Sequence, residues 1–205
     1  MTNPTMSFIR RRAARFVPLV ALVPLLTTGC GYNNIQTLDE NASKAKQQIS
    51  VQLQRRADLV PNLVEVVKGF AKQESEVFLG VAEARAKLSG AATGGDLTQM
   101  AAASQQMNGA LGRLLAISEA YPTLKSNENF IRLQDELSGT ENRVGVARTD
   151  YNSAVNEYNT YIRKFPQVIT AKVMGMKARE YFELTSAAAA AVPKVDFSEP
   201  AKKTP

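Results

Sequence analysis

The sequence predicts an all-α protein: an elongated, antiparallel, up-and-down helical bundle of about four helical pieces. Three observations support this fold class. Apolar residues recur every three or four positions between residues 33 and 165, few segments alternate with the period of two that is typical of strands, and glycine or proline separates the periodic stretches. With 205 residues, of which 44% are hydrophobic, the chain is long enough to bury one such core.

The first helical stretch covers residues 34–88 and contains Pro61. Because proline lacks a backbone N–H and clashes with the carbonyl four residues earlier, we expect a bend or a break there, which gives pieces 34–59 and 61–88. A glycine-rich turn then leads to the third piece, 96–120, for which Asp96 is a suitable N-cap.

The clearest helix covers residues 128–164. Of the eleven positions spaced alternately by three and four from Phe130 to Phe165, ten are apolar or aromatic. Such spacing forms the seam of a left-handed coiled coil, which partner helices must cover. Asn127 or Ser126 can cap its start, and Pro166 ends it. We expect the seams to be buried, and test residues from the four pieces are Ile49, Leu63, Leu111, Leu133 and Val144. If most of them were exposed in a monomer, a homo-oligomer would have to cover them.

The first 29 residues resemble a secretory signal peptide, with four arginines before the apolar stretch 16–26. Thr28-Gly29-Cys30 resembles the lipobox of bacterial lipoproteins, in which the cysteine is lipid-modified and becomes the new N-terminus. The alternative is an uncleaved signal anchor. Both interpretations attach the chain to a membrane by its N-terminus, on the extracytoplasmic face, and the lipoprotein interpretation leaves the outer membrane open.

The remaining chain divides into a bundle and a tail. Residues 30–192 form the bundle, including a C-terminal segment that we expect to dock through Tyr181 and Phe182. Residues 193–205 contain three prolines and three lysines, a composition that predicts disorder.

Composition argues against most enzyme classes and against nucleic-acid binding. Four basic residues and no acidic residue lie in residues 1–29, so most of the net charge of +6 belongs to the signal segment and not to the bundle. The absence of histidine removes the Ser-His-Asp and Cys-His arrangements and the usual zinc sites, and one cysteine cannot form an intramolecular disulfide. We therefore predict no enzymatic activity, no cofactor and no metal site.

Two stretches resemble the LemA family. The first is residues 55–64 (RRADLVPNLV), and the second begins at Tyr121-Pro122 and continues through Thr140-Glu141-Asn142-Arg143 and Tyr158-Asn159 to Phe165-Pro166. The Val195-x-Phe197 pair near the end also fits. The resemblance implies a membrane-attached bacterial protein with an extracytoplasmic helical bundle on an N-terminal anchor. It implies no reaction, because the family has no agreed enzymatic activity.

Polar residues from these two stretches form the candidate site, with Arg55 and Thr140 beside them: Arg56, Asp58, Asn62, Glu141, Asn142, Arg143 and Arg148. One interpretation is a polar layer that fixes helix register, and the other is a site that binds an anionic group through guanidinium groups. Tyrosines and asparagines alternate along residues 151–161, either as core residues with hydroxyls at the rim or as a peptide-binding groove. We expect a scaffold or protein-interaction module with envelope proteins as partners, or alternatively a binding module for a small anionic or peptide ligand.

Overall fold

The computed structural model describes the backbone of residues 7–183 and the side chains of residues 31–183. The side chains of the predicted signal segment and of Cys30 are not among those described. The predicted tail 193–205 also lies outside the described residues. The described part contains six helices: α1 (Ser7–Phe70), α2 (Ser75–Gly94), α3 (Leu97–Ala120), α4 (Pro122–Lys125), α5 (Glu128–Arg163) and α6 (Gln167–Val173). The predicted all-α bundle is confirmed.

Helices α1 and α5 form a long antiparallel pair that is the axis of the molecule. At one end the Asn34 amide donates to the Tyr161 hydroxyl (3.2 Å), and midway along the pair Arg56 contacts Glu141. Helix α5 has 36 residues and is therefore about 54 Å long. We call the end near residue 31 the proximal end and the end near Phe70 the distal end.

The α2–α3 hairpin completes a four-helix bundle over the distal half of this pair. Gly95 makes the tight turn between the two helices with φ of 72°, a left-handed conformation that favours glycine, and its N–H donates to the Ala91 carbonyl. The hairpin approaches α1 where the Ser89 hydroxyl donates to Gln54 (3.0 Å). Asp96 is the predicted N-cap of α3, and its carboxylate accepts the Gln99 N–H at 2.7 Å.

Different elements cover the proximal half, where the hairpin is absent. Helix α6 and the segment 176–183 pack there, and Ile35, Tyr158, Ile162 and Ala171 form a separate buried cluster. Phe182 is buried, as expected for a docked segment, whereas Tyr181 is exposed. The α1–α5 pair is therefore covered by helices at its distal half and mainly by an irregular segment and a short helix at its proximal half.

Pro61 does not break the first helix, which corrects the predicted boundary between pieces 34–59 and 61–88. Helix α1 continues through Pro61 to Phe70, and the chain turns at residues 71–74 instead. Proline leaves the Ala57 carbonyl without its usual helical donor, and the Arg85 guanidinium on α2 supplies one, since its Nε–H donates to that carbonyl at 2.9 Å. A bend at Pro61 without a break stays a prediction.

The seam residues are buried within a single chain. Ile49, Leu63, Leu111 and Val144 are at most 5% exposed, so four of the five burial predictions are confirmed. Leu133 is only half-buried and packs against the edge of the core. Asn127 is the N-cap of α5, because its side chain accepts the Phe130 N–H at 3.1 Å. No oligomer is required to cover the seams.

Candidate functional site

Arg56 is a buried charged residue on the inner face of α1. It lies seven residues after Ile49 and seven before Leu63, so helix periodicity directs it into the bundle with those two apolar residues. Only 5% of Arg56 is exposed. Its guanidinium forms an ion pair with the Glu141 carboxylate on α5, whose other oxygen lies 3.5 Å from the Asn108 amide nitrogen on α3. Three helices therefore meet at one carboxylate.

Arg148 is a second, partly buried cation, two turns further along α5. Its guanidinium donates to the Ser104 hydroxyl on α3 at 2.8 Å and stacks over the Phe182 ring, 4.8 Å from the ring centroid. The Nε atoms of both Arg56 and Arg148 are buried without a hydrogen-bond partner. We call Arg56, Glu141 and Arg148 the polar layer, and Arg148 joins this layer to the C-terminal segment through Phe182.

One carboxylate serves both cations. Burial lowers the pKa of Arg56, and the charge and hydrogen bond of Glu141 oppose that effect. Burial also lowers the pKa of Arg148, where Glu141 again favours the charged form and repulsion from Arg56 disfavours it. The negative charge of Glu141 therefore stabilises the charged forms of both guanidinium groups.

A pocket of about 370 Å³ opens beside this layer, and we call it the central pocket. Its apolar surface consists of four leucines from three helices: Leu63, Leu111, Leu115 and Leu137. Polar side chains complete the lining together with Gly112: Arg56, Asn108, Gln134, Ser138, Glu141 and Asn142. The pocket combines an apolar floor with amides that can both donate and accept hydrogen bonds.

The structure brings together only part of the predicted constellation. Arg56, Glu141 and Arg148 form the polar layer, and Asn142 lies in the pocket lining. The other members lie on the solvent side of their helices. Asp58 accepts a hydrogen bond from its neighbour Gln54, Asn62 is exposed, and the Arg143 guanidinium lies along its own helix beside Gly139. Arg55 is also exposed, and Thr140 is buried with its hydroxyl donating to the Leu137 carbonyl.

Sequence reasoning missed Ser104, Asn108 and Phe182 as members of the site. Ser104 could have been identified from the sequence, because it is a polar residue at a seam position of α3. Asn108 lies on the exposed side of that helix, so it does not interrupt the apolar periodicity and nothing in the sequence distinguishes it. Phe182 reaches Arg148 from a segment without periodicity, so local sequence offers no route to that contact.

The tyrosines and asparagines of α5 hold the chain's own C-terminal segment. The Asn159 side chain accepts the Arg179 N–H at 2.8 Å and donates to the Arg179 carbonyl at 2.9 Å, and Asn152 makes the same pair of bonds with Phe182 at 2.8 and 3.1 Å. The hydroxyls of Tyr151 and Tyr158 donate to the carbonyls of Glu180 and Lys177. This set, Tyr151, Asn152, Tyr158 and Asn159, is called the Tyr-Asn ladder.

The ladder works because two spacings agree. Seven residues of helix rise about 10.5 Å, and three residues of extended chain span about 10 Å. Asn152 and Asn159 are seven residues apart, and the residues they hold are three apart, as are the carbonyls bound by the two tyrosines. Burial raises the pKa of both Tyr151 and Tyr158, so the phenols stay protonated and can donate.

Arg179 ties the same segment to α1. Its guanidinium donates to Asp39 and to the Ser43 hydroxyl, both at 2.7 Å, and the hydrogen bond with Asp39 raises the pKa of Arg179. The segment therefore contacts both long helices. The groove that the sequence offered as a peptide site is occupied from within the chain.

Among residues whose side chains are described, no group of three acidic or cysteine residues is arranged to hold a metal ion. Within the same part of the chain, no helix has the length and apolarity needed to cross a membrane.

The model of the LemA family matches residues 45–197, three quarters of the chain. The chain belongs to the LemA family. The resemblance expected from the sequence is thus confirmed. The match covers the polar layer, the central pocket and the Tyr-Asn ladder, and it begins after Cys30. The LemA bundle is therefore the part of the molecule that carries the site.

Curated relatives of this LemA chain include magnetosome proteins. Magnetosome protein MamQ 2 of Paramagnetospirillum magneticum is 29% identical over an alignment that covers 74% of this chain and 64% of the relative. Magnetosome protein MamQ of Magnetospirillum gryphiswaldense is 28% identical, with 81% of this chain and 70% of the relative covered. The chain thus spans slightly less than two thirds of the first relative's length.

Proposed function

We propose that this LemA-family chain is a membrane-attached protein-binding module of the cell envelope, whose central pocket accepts an apolar side chain of a partner protein. The central pocket is the observation that carries the proposal. Four leucines form its floor and amide side chains stand at its rim, so an aliphatic side chain can be buried while the partner's neighbouring main-chain groups are hydrogen-bonded.

A protein partner fits this pocket better than a small anion. The Glu141 carboxylate is part of the lining, and it already neutralises Arg56. An entering anion would be repelled by Glu141 and would have to compete with it for the guanidinium. We also propose a binding role and not a catalytic one, because the one acidic group of the pocket is held in an ion pair.

Membrane attachment is the second part of the proposal. Family membership and the magnetosome relatives support a membrane-associated envelope protein, and the sequence around Cys30 supports a lipid anchor on the extracytoplasmic face, with the outer membrane as one destination. Two or more acyl chains are enough for stable anchoring. An uncleaved signal anchor is the alternative means of attachment.

The lipid anchor is tested by Cys30→Ser with labelled palmitate and membrane fractionation. We expect wild type to take up the label, and the variant to lose it and to accumulate as uncleaved precursor, since the acyl-bearing sulfur is gone. A wild type that remains in the membrane without label would replace the lipid anchor by the signal anchor. A wild type found outside the membrane fraction would contradict membrane attachment itself.

The pocket is tested by Gly112→Leu, which places a side chain in the central pocket. A Cβ at Gly112 meets nothing within 4 Å, so the backbone position leaves space for the first atom of the new side chain. Side chains anchored in interface pockets contribute about 2 kcal/mol or more, so we expect capture of crosslinked partners from intact membranes to fall at least tenfold, to about 10% or less.

Gly109→Leu is the matched control. Gly109 lies one turn earlier on α3, is also exposed with open space around it, and does not line the pocket. Leucine stabilises a helix by up to about 1 kcal/mol relative to glycine, so neither variant should lower the melting temperature. Equal capture by the two variants would contradict a pocket-dependent partner.

A further inference from the structure

Exposed apolar side chains cluster around α6. Phe165 is 81% exposed and Val173 is 79% exposed, and Ile169 and Met174 are also exposed within the same ten consecutive positions. Elsewhere among the described residues, large exposed apolar side chains are separated in sequence. Single exposed apolar residues are ordinary, whereas a contiguous group marks an interaction surface. We call these four residues the α6 patch.

Basic residues flank and interrupt the α6 patch in the sequence. Arg163, Lys164, Lys172 and Lys177 are exposed, and the sequence has no acidic residue between positions 158 and 178. A partner surface that complements this patch must be apolar at the centre and negatively charged around it. The interface of a bilayer that contains anionic lipids has both properties, since lysine and arginine stems can follow apolar surface while their charges stay at the headgroups.

The α6 patch lies at the proximal end of the bundle. Helix α6 packs beside the start of the described side chains, where a Cβ on Gly31 would lie 3.6 Å from Cγ of Gln167. Gly31 directly follows Cys30, the residue at which we propose attachment. The distal end of α1 is about 60 Å away, because 39 residues of helix separate Gly31 from Phe70.

We propose that the α6 patch inserts into the headgroup region of an anionic bilayer, the same membrane to which the N-terminus attaches the chain. This inference rests on the proposed membrane attachment. The patch gives the bundle a second contact with the lipid surface, beside the first one in space but far from it in sequence, and two contacts restrain rotation of the bundle about its anchor.

The test places a fluorescent reporter in the patch of the full chain. The sequence has no tryptophan, so Val173→Trp gives a single emitting indole. The chain is reconstituted into vesicles of phosphatidylethanolamine and phosphatidylglycerol, with and without brominated acyl chains, which quench an indole that contacts them. We expect emission at shorter wavelength and loss of most of the intensity with brominated lipid. Vesicle flotation measures attachment separately.

Leu79→Trp is the matched control, because Leu79 is 66% exposed and lies near the start of α2 at the distal end. We expect its emission to be unchanged by brominated lipid. Adding Lys164→Glu and Lys172→Glu to the Val173→Trp chain should restore most of the lost intensity, because the anionic surface then repels the patch.

The outcomes separate this inference from the proposed function. A chain that fails to float overturns membrane attachment and, with it, the α6 contact. A chain that floats with an unquenched reporter at position 173 overturns the α6 contact alone. An emission shift without quenching would assign the patch to protein, either a second copy or another chain, and would also overturn it. Quenching that survives the charge reversal would overturn the anionic-surface proposal.

Discussion

Replacing Glu141 by alanine should lower the free energy of unfolding by about 3 kcal/mol, the lower limit for breaking a buried ion pair. The loss arises because the Arg56 side chain, which is 6% exposed, keeps its charge in the bundle without the counter-charge of Glu141. The Glu141 side chain is 38% exposed, so water relieves part of the cost and the lower limit applies. Urea denaturation measures the change.

Glu136→Ala provides the matched control on the same helix. Glu136 lies 3.9 Å from Arg55, and both side chains are exposed, so its loss should cost about 0.5 kcal/mol or less. Pairing Glu141→Leu with Arg56→Met should recover most of the stability, because an apolar pair replaces the buried charges. Equal losses for the two glutamates would contradict the central role of Glu141 in the polar layer.

Asn159→Ala should release the segment 176–183 from the Tyr-Asn ladder. Asn159 is 3% exposed and makes two hydrogen bonds with the backbone of Arg179, and each polar group left unsatisfied costs about 1–3 kcal/mol. We expect a total loss of about 2–6 kcal/mol for the two groups. Hydrogen exchange should show faster exchange at the Arg179 and Phe182 amides than in wild type.

Asn156→Ala tests the same residue type between the two ladder asparagines. Asn156 is exposed, and its contact is with the Tyr181 hydroxyl at 3.4 Å, so we expect a loss below about 0.5 kcal/mol and unchanged exchange at Arg179. If Asn156→Ala and Asn159→Ala had the same effect, the ladder would not be what holds the segment.

The fold follows from the sequence largely because helical periodicity is local. The predicted pieces 96–120 and 128–164 agree with α3 and α5 to within one residue at each end. The same periodicity distinguishes Arg56, which is in phase with Ile49 and Leu63, from Asp58 and Asn62, which are not. If the position of each polar residue of α1 is compared with the buried apolar residues, Arg56 is the candidate site residue on this helix that faces the bundle.

Other features depend on contacts between residues distant in sequence. The continuity of α1 at Pro61 depends on Arg85, 24 residues later, and no local rule indicates that this guanidinium compensates the missing backbone donor. The occupant of the Tyr-Asn ladder is equally hidden, because the ladder binds main-chain groups that every sequence carries. Periodicity locates the asparagines but not the segment that they hold.

Seven residues of α5 have about the same length as three residues of the extended C-terminal segment. Docking of this segment should therefore depend on the number of its residues more than on the identity of its outward side chains. The ladder binds backbone amides and carbonyls, so the outward side chains of Lys177, Ala178 and Glu180 can vary with little effect on docking. One residue inserted between Arg179 and Phe182 would separate those two positions by a further 3.3 Å or so, and one asparagine would lose its partner. Divergence in this part of the chain should therefore preserve the spacing, while residue identity changes at the outward positions 177, 178 and 180.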